Sequence, residues 1–255
     1  MGLYTASMFR PLLLLVSLSC IPSIAIYAQQ KPLEKSPAPD TQDQAWKTDL
    51  AKRHQELVDR NGPGTNEGLR AQLLAMRDAD QAARGVAHDQ PKDKLRMASN
   101  MDEIDSQLTA GLKAIVAKSG WPTIATVGID ASNAAMLVLT HTRDHAWQLS
   151  LLPLLESLAD QGRIDGAPLA MVVDKELVSE GKLQRYGTQF QYTGDGMAMY
   201  GVEDPGGLDA ERAKAGLMPM SVYKGQLEQM YHMKVTGKIV MATPQASSAP
   251  DAVAK

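Results

Sequence analysis

From Leu69 to Leu177 the apolar residues of this chain recur at three- and four-residue steps, and beyond Gly181 the step drops to two. That switch constrains the fold more than any other feature. A three-and-four stripe buries one face of a helix, whereas an alternating run buries one face of a strand. Leu69, Leu73, Met76 and Ala83 mark a helix over 67–84, and Ile104, Leu108, Leu112 and Ile115 mark another over 102–118. Gly120 and Pro122 end the second, because glycine suits a helix C-terminus and proline disfavours helix in the residue before it. After a short apolar connection over 124–127, Asp130 is expected to cap a helix by accepting the Asn133 amide. That helix carries Ala134, Val138, His141 and His145 along one row. Trp147, Leu151, Leu154, Leu155 and Leu158 continue the stripe to Gly162, with Pro153 requiring a kink or a fresh start. Leu169, Val173 and Leu177 place a helix over 168–180, with Asp174 at the edge of the core.

Past Gly181, Tyr186, Thr188, Phe190 and Tyr192 alternate with Gly187, Gln189 and Gln191. Gly194-Asp195-Gly196 is the glycine-rich turn of a tight hairpin, and 197–202 is its returning strand. A short helix ending at Gly216 and a last one using Tyr223, Leu227 and Met230 follow. The expected fold is mainly α: a helical domain with one small β-hairpin near 184–202.

The two ends read differently from the middle. Arg10, an apolar run over 12–18, and Ile26 and Ala28 before Gln29 give residues 1–28 the pattern of a cleaved signal peptide. The run is too short to span a membrane, so no stable membrane span is expected after cleavage. Lipidation at Cys20 and a retained anchor are the alternatives, although Ser17 stands where a lipidation signal wants leucine. Cys20 is the single cysteine. Its removal leaves no disulfide, no cysteine nucleophile and no cysteine metal site. Residues 29–44, with Pro32, Pro37 and Pro39, read as a disordered linker. An N-terminal helix and loop over 45–66, stopped by Asn61-Gly62-Pro63-Gly64, lead into an α-rich domain over 67–232. A largely disordered tail over 233–255 ends the chain. The expected location is exported, periplasmic or secreted. The net charge of −3 argues against nucleic-acid binding, which needs a basic footprint. There is no phosphate-binding glycine loop and no dinucleotide fingerprint. No cofactor is implied, and the expected partner is a small molecule or an envelope protein.

A particular order of residues carries a family resemblance. It begins with Leu73-Leu74-Ala75-Met76, Asp80-Gln81, Arg84 and Asp105, and continues through Gly120-Trp121-Pro122-Thr123, His141, Gln148 and Leu152-Pro153-Leu154-Leu155. Asp174, Gly181, Tyr186-Gly187-Thr188-Gln189, Glu203-Asp204-Pro205 and Arg212 complete it. Over residues 73–223 the chain resembles an uncharacterised bacterial family, a domain of unknown function marked by GWP and YGTQ. That resemblance implies no activity. The chain departs from the family pattern at Thr140, where glutamine is usual, and at Lys175, where arginine commonly follows the aspartate. Glu211 stands in place of the first of two arginines, and Leu108 in place of asparagine.

Four constellations are candidates for chemistry. His141 and His145 bracket Asp144 in an H-x-x-D-H run that resembles an inverted zinc-protease signature, although Asp is one methylene shorter than the required Glu. A buried histidine beside an exposed one is the simpler reading of that pair. His141 with Asp174 or Asp105 as its orienting carboxylate is a candidate general base, with Ser132 and Thr188 as conceivable nucleophiles; a polar network pinning helices in register competes with it. Tyr186, Thr188 and Gln189 on the first strand are candidate ligand contacts, against a plain structural hairpin. Asp80, Gln81 and Arg84 read first as a solvated helix face with a local ion pair, and otherwise as a clamp for an anionic group.

Two functions from different classes follow. In one, catalytic His141 and Asp174 share a pocket with ligand-binding Trp121, Asp80, Arg84, Asp105, Gln148, Tyr186, Thr188 and Gln189, possessing hydrolase-like chemistry or binding alone. In the other, the same residues lock a structural or protein-interaction domain together. The first requires Trp121, His141, Asp174, Tyr186 and Gln189 to converge on one concavity.

Overall fold

The structure, a computed structural model, describes residues 41–86 and 98–244. The expected signal peptide, residues 29–40 of the linker, most of the loop after Gly85 and the tail from 245 onward lie outside the described residues. The elements run α1 (Thr41–Asn61), α2 (Glu67–Ala83), α3 (Met101–Ser119), α4 (Ile124–Val127), α5 (Ile129–His141), α6 (His145–Asp160) and α7 (Gly166–Ser179). Then follow β1 (Phe190–Thr193), β2 (Gly196–Tyr200), α8 (Leu208–Ala215), α9 (Met220–Tyr231) and β3 (Val235–Val240). The fold is mainly α with a small sheet.

Helix α5 is the axis. From Ala131 to His141 only Asn133 escapes full burial, as befits a helix that is apolar on every side. It packs on α2, α3, α4 and α7, and Leu73, Leu112, Ile115, Trp121, Leu155 and Val172 join it in the larger core. A second core lies beneath the sheet, where Phe190, Met197 and Met199 meet Leu208, Met220, Tyr223 and Leu227. Trp46 and Leu50 of α1 pack against that second core. Helix α1 begins at Thr41, earlier than the expected linker boundary.

Four local expectations give way. The row from Ala134 to His145 is not one helix: Thr142 is extended at ψ 146°, and Asp144 caps a new helix by accepting the Trp147 amide at 3.0 Å. Asp130 does not take the Asn133 amide; its carboxylate accepts from the Ala131 amide and from both terminal nitrogens of Arg70. Tyr186–Gln189 is a loop rather than a strand, since β1 starts only at Phe190. Finally, the tail expected from 233 contributes β3, which pairs in parallel with β2 through Met197↔Val235 and Met199↔Ile239. An outer strand of this kind needs one neighbour only. Its mixed sequence, with Gly237 and Lys238, therefore lacks the alternation that betrays a half-buried strand. Lys238 reaches Asp195 in the hairpin turn at 2.6 Å. Strand β2 lies between β1 and β3, and all five of its residues are buried.

Candidate functional site

The expected site residues separate into two buried polar assemblies. The first surrounds Asp174 of α7, which is fully buried. Its carboxylate accepts from the Arg185 amide at 2.7 Å, the Tyr186 amide at 3.0 Å, and the Thr188 amide and hydroxyl at 2.9 Å each. These bonds explain why Tyr186–Gln189 is no strand: the Tyr186 and Thr188 amides end on a carboxylate, and the Gln189 amide on the Gln184 side chain, instead of on a ladder. Gly187 adopts φ +67°, and a Cβ there would lie 2.5 Å from Met220 Cε. Buried Arg212 of α8 donates to Tyr186 O at 2.6 Å and Met218 O at 2.8 Å, and stacks on Tyr223. Tyr223 donates its hydroxyl to Thr188 O at 3.1 Å. Gln184 closes the loop by accepting the Gln189 amide at 2.8 Å. Burial pushes the Asp174 carboxyl above its ordinary range, and its four donors oppose that shift. The carbonyls of Tyr186 and Thr188 thus hold the α7–β1 loop onto α8 and α9, and Gln189 is tied back to Gln184 within the loop.

The second assembly joins α2, α3 and the end of α5. Here the carboxylate that orients His141 is Asp80, not Asp174: Nδ1–H donates to Asp80 Oδ1 at 2.6 Å. Asp80 also accepts from Gln81 at 3.1 Å and lies 2.9 Å from Arg84 Nη1, whose other terminal nitrogen donates to Asp105 at 2.8 Å. Asp80 is 0% exposed and His141 3%, so this run is no solvated helix face. On α2, Asp80 follows Leu73 and Met76 by seven and four residues, so it continues the apolar row. On α3, Asp105 precedes Leu108 and Leu112 by three and seven. A carboxylate on an apolar row was the signal available in the sequence.

His141 Nε2 is buried and has no hydrogen-bond partner among the described residues. Burial lowers the His141 pKa from 6.5, outweighing the opposing hydrogen bond and charge of Asp80. The ring is therefore neutral near pH 7, with its proton on Nδ1 and a lone pair on Nε2. A second proton would leave a buried N–H unsatisfied, which costs about 1–3 kcal/mol. Beside this assembly, a cleft of about 240 Å³ opens between α3 and the turn joining α5 to α6, lined by Asp105, Thr109, Lys113, Thr142 and Asp144 among others. His141 is next in sequence to Thr142 in the cleft wall, and is joined to Asp105 in the opposite wall through Asp80 and Arg84.

The remaining expected residues fall elsewhere. Trp121 is buried in the larger core, and its indole N–H has no hydrogen-bond partner among the described residues. Tyr186 lies at the margin of that core. Ser132 donates to Pro122 O at 2.9 Å and Thr188 to Asp174, so neither hydroxyl is bonded to His141. None of the five residues required to share one concavity lines the cleft at Asp105 and Thr142. His145 turns away from His141 and meets buried Glu176 of α7 at 2.9 Å. Among the described residues there is no group of three side chains placed to hold a metal ion. Gln148 donates to Leu139 O at 2.5 Å and accepts from Lys175 at 3.1 Å. Lys175 and Glu176, which follow Val172 and Val173 onto the buried side of α7, were not among the expected site residues.

An α-rich domain with a buried charged cluster that reaches a cleft through Asp105 is the class that fold and site define. The chain belongs to the family of unknown function DUF6624, whose match covers residues 67–236. No curated protein and no solved structure matches it. Among the described residues no helix is long and apolar enough to cross a membrane.

Proposed function

We propose that the domain binds a small polar molecule at the His141 cluster, entering from the cleft at Asp105 and Thr142. One observation carries this reading: His141 has Nδ1 fixed by a buried carboxylate and Nε2 left as a buried acceptor without a donor among the described residues. Buried polar atoms in folded proteins are almost always paired, so an oriented, unpaired acceptor is suited to a ligand N–H or O–H. The same arrangement, a neutral imidazole whose tautomer a carboxylate fixes, is that of a general base. Hydrolase-like proton abstraction from a bound hydroxyl or water is the chemistry open to it. Entry requires the side chains at Asp105 and Thr142 to part, so association is expected to be slow.

The export pattern of residues 1–28 supports placing this binding outside the cytoplasm. A structural or protein-interaction role is favoured by the Asp174 assembly, whose groups are consumed by the fold. Thermal-shift screening of hydroxyl- and amine-bearing fragments against wild type and His141→Gln tests the proposal. Fragments that stabilise wild type and lose that effect in the variant support it. Fragments that stabilise both equally, or none that stabilise wild type, favour the structural role.

A further inference from the structure

Lys175 projects from α7 onto the end of α5. Its three N–H donors meet three oxygens: Thr140 O at 2.8 Å, Thr142 O at 2.8 Å and Gln148 Oε1 at 3.1 Å. Gln148 in turn donates to Leu139 O. The carbonyls of Leu139, Thr140 and Thr142, which flank His141, therefore end on these two side chains. The last carbonyls of a helix have no intrahelical partner, and water takes them at an exposed end. At this buried end Lys175 and Gln148 replace the water, and a cation there also suits the negative pole of α5.

We infer that Lys175 is the positioning residue of the His141 site, holding the carbonyls on either side of His141 so that the ring stays on Asp80 and its Nε2 stays dry. The inference deepens the binding proposal and rests on it for its functional meaning, although its test needs no ligand. The clamp needs the ammonium form. A neutral amine has two N–H groups for three oxygens and turns a lone pair toward one of them. The groups facing Lys175 pull in both directions: Glu176 on its own helix and Asp105 on α3 favour the charge, and Arg84 on α2 opposes it. From α6 come Gln148 and His145, the latter bonded to Glu176. Burial outweighs the favourable partners and lowers the amine to about 8. The clamp is therefore whole at neutral pH and opens as pH rises through about 8. Because the folded value lies below the ordinary 10.5, the unfolded chain holds more protons between the two. Lys175 thus makes the fold more stable, not less, as pH rises across that window. The expected change is local to His141.

Histidine-ring nitrogen NMR on the full chain tests this in wild type, Lys175→Met and Lys175→Arg. Wild type should show the Nδ1–H tautomer of neutral His141, slow to exchange, with ring shifts that move around pH 8 while the melting temperature does not fall. Lys175→Met should lose the protected Nδ1–H and raise the His141 titration midpoint toward the ordinary imidazole value, as water relieves its desolvation. Lys175→Arg should retain both wild-type features. If Lys175→Met does not fold, the wild-type pH series decides. An unchanged His141 in Lys175→Met, no inflection near pH 8 in wild type, or no rescue by arginine would each overturn the inference. A displaced His141 ring in a protein that binds no fragment sinks the binding proposal alone, and the converse sinks the positioning role alone.

Discussion

The two buried polar assemblies contain the same kinds of groups and differ in how completely they are used. Around Asp174, the carboxylate has four donors, and buried Arg212 answers it with bonds to two backbone oxygens. Among the described residues the one side-chain atom left over there is a neutral amide oxygen, Gln189 Oε1. Around Asp80, the charges are linked in a chain from His141 to Asp105, yet among the described residues His141 Nε2 and Arg84 Nη1 have no hydrogen-bond partner. A polar network that spends its groups on backbone amides and carbonyls fixes a loop. One that joins side chain to side chain beneath a cleft keeps a group in reserve. Tyr186-Gly187-Thr188-Gln189, read in the sequence as either ligand contacts or a plain structural hairpin, has two of its amides and the Thr188 hydroxyl committed to Asp174.

Substitutions can break this contrast. The largest effect is expected at Asp174→Ala, which strands three amides and a hydroxyl in the interior; a loss of about 4 kcal/mol, from the usual range for breaking a buried charged network, is expected in denaturant unfolding. Asp80→Asn should lose less, about 2 kcal/mol, because Arg84 keeps Asp105 and the amide still accepts from His141. In the same assay a loss at Asp80→Asn as large as at Asp174→Ala would erase the distinction between the assemblies. Tyr223→Phe removes one hydrogen bond from the Asp174 assembly and should cost about 1 kcal/mol by chemical denaturation.

The smallest effect is a pH dependence. His141 titrates below its ordinary 6.5 in the folded chain, so the unfolded chain binds more protons between the two values. Its contribution to stability is fully present above about 6.5 and is lost as pH falls through the lowered value. Asp174 is shifted the other way, so over its own window the folded chain holds more protons and stability falls as pH rises. Unfolding free energies measured between pH 7 and 5 should decline in wild type and decline less in His141→Gln. An unaltered slope in that variant would show that His141 is not the group responsible.

How much of this was legible in the sequence depended on the range of the interaction. Helices α2, α3 and α7 follow from local stripes, since Leu73, Leu112 and Val173 each repeat with neighbours one turn away. Strand β3 pairs with a strand on the far side of α8 and α9, and no local pattern announces a parallel partner. The break after His141 turned on Asp144, whose value as a helix cap outweighs the apolar row that runs across it. His141, Asp80, Arg84 and Asp105 were all visible as candidates, but their grouping was not. The carboxylate that reaches His141 comes from a helix 61 residues away in the chain. Asp174 was placed with His141 because both are polar positions on apolar helices, a pattern that cannot say which of two cores a side chain enters. In the sequence Lys175 stands out only as a departure from the family pattern, because three acceptors from two other segments define its role.

The central claim is that His141 Nε2 is an acceptor held for a ligand. Crystals soaked with small hydroxyl- and amine-bearing fragments test it most directly. The expected result is a fragment donor within hydrogen-bond distance of His141 Nε2, reached from the Asp105–Thr142 cleft, with the Tyr186–Gln189 loop unmoved. Fragments gathering on that loop while Nε2 stays sealed by apolar contacts would contradict it.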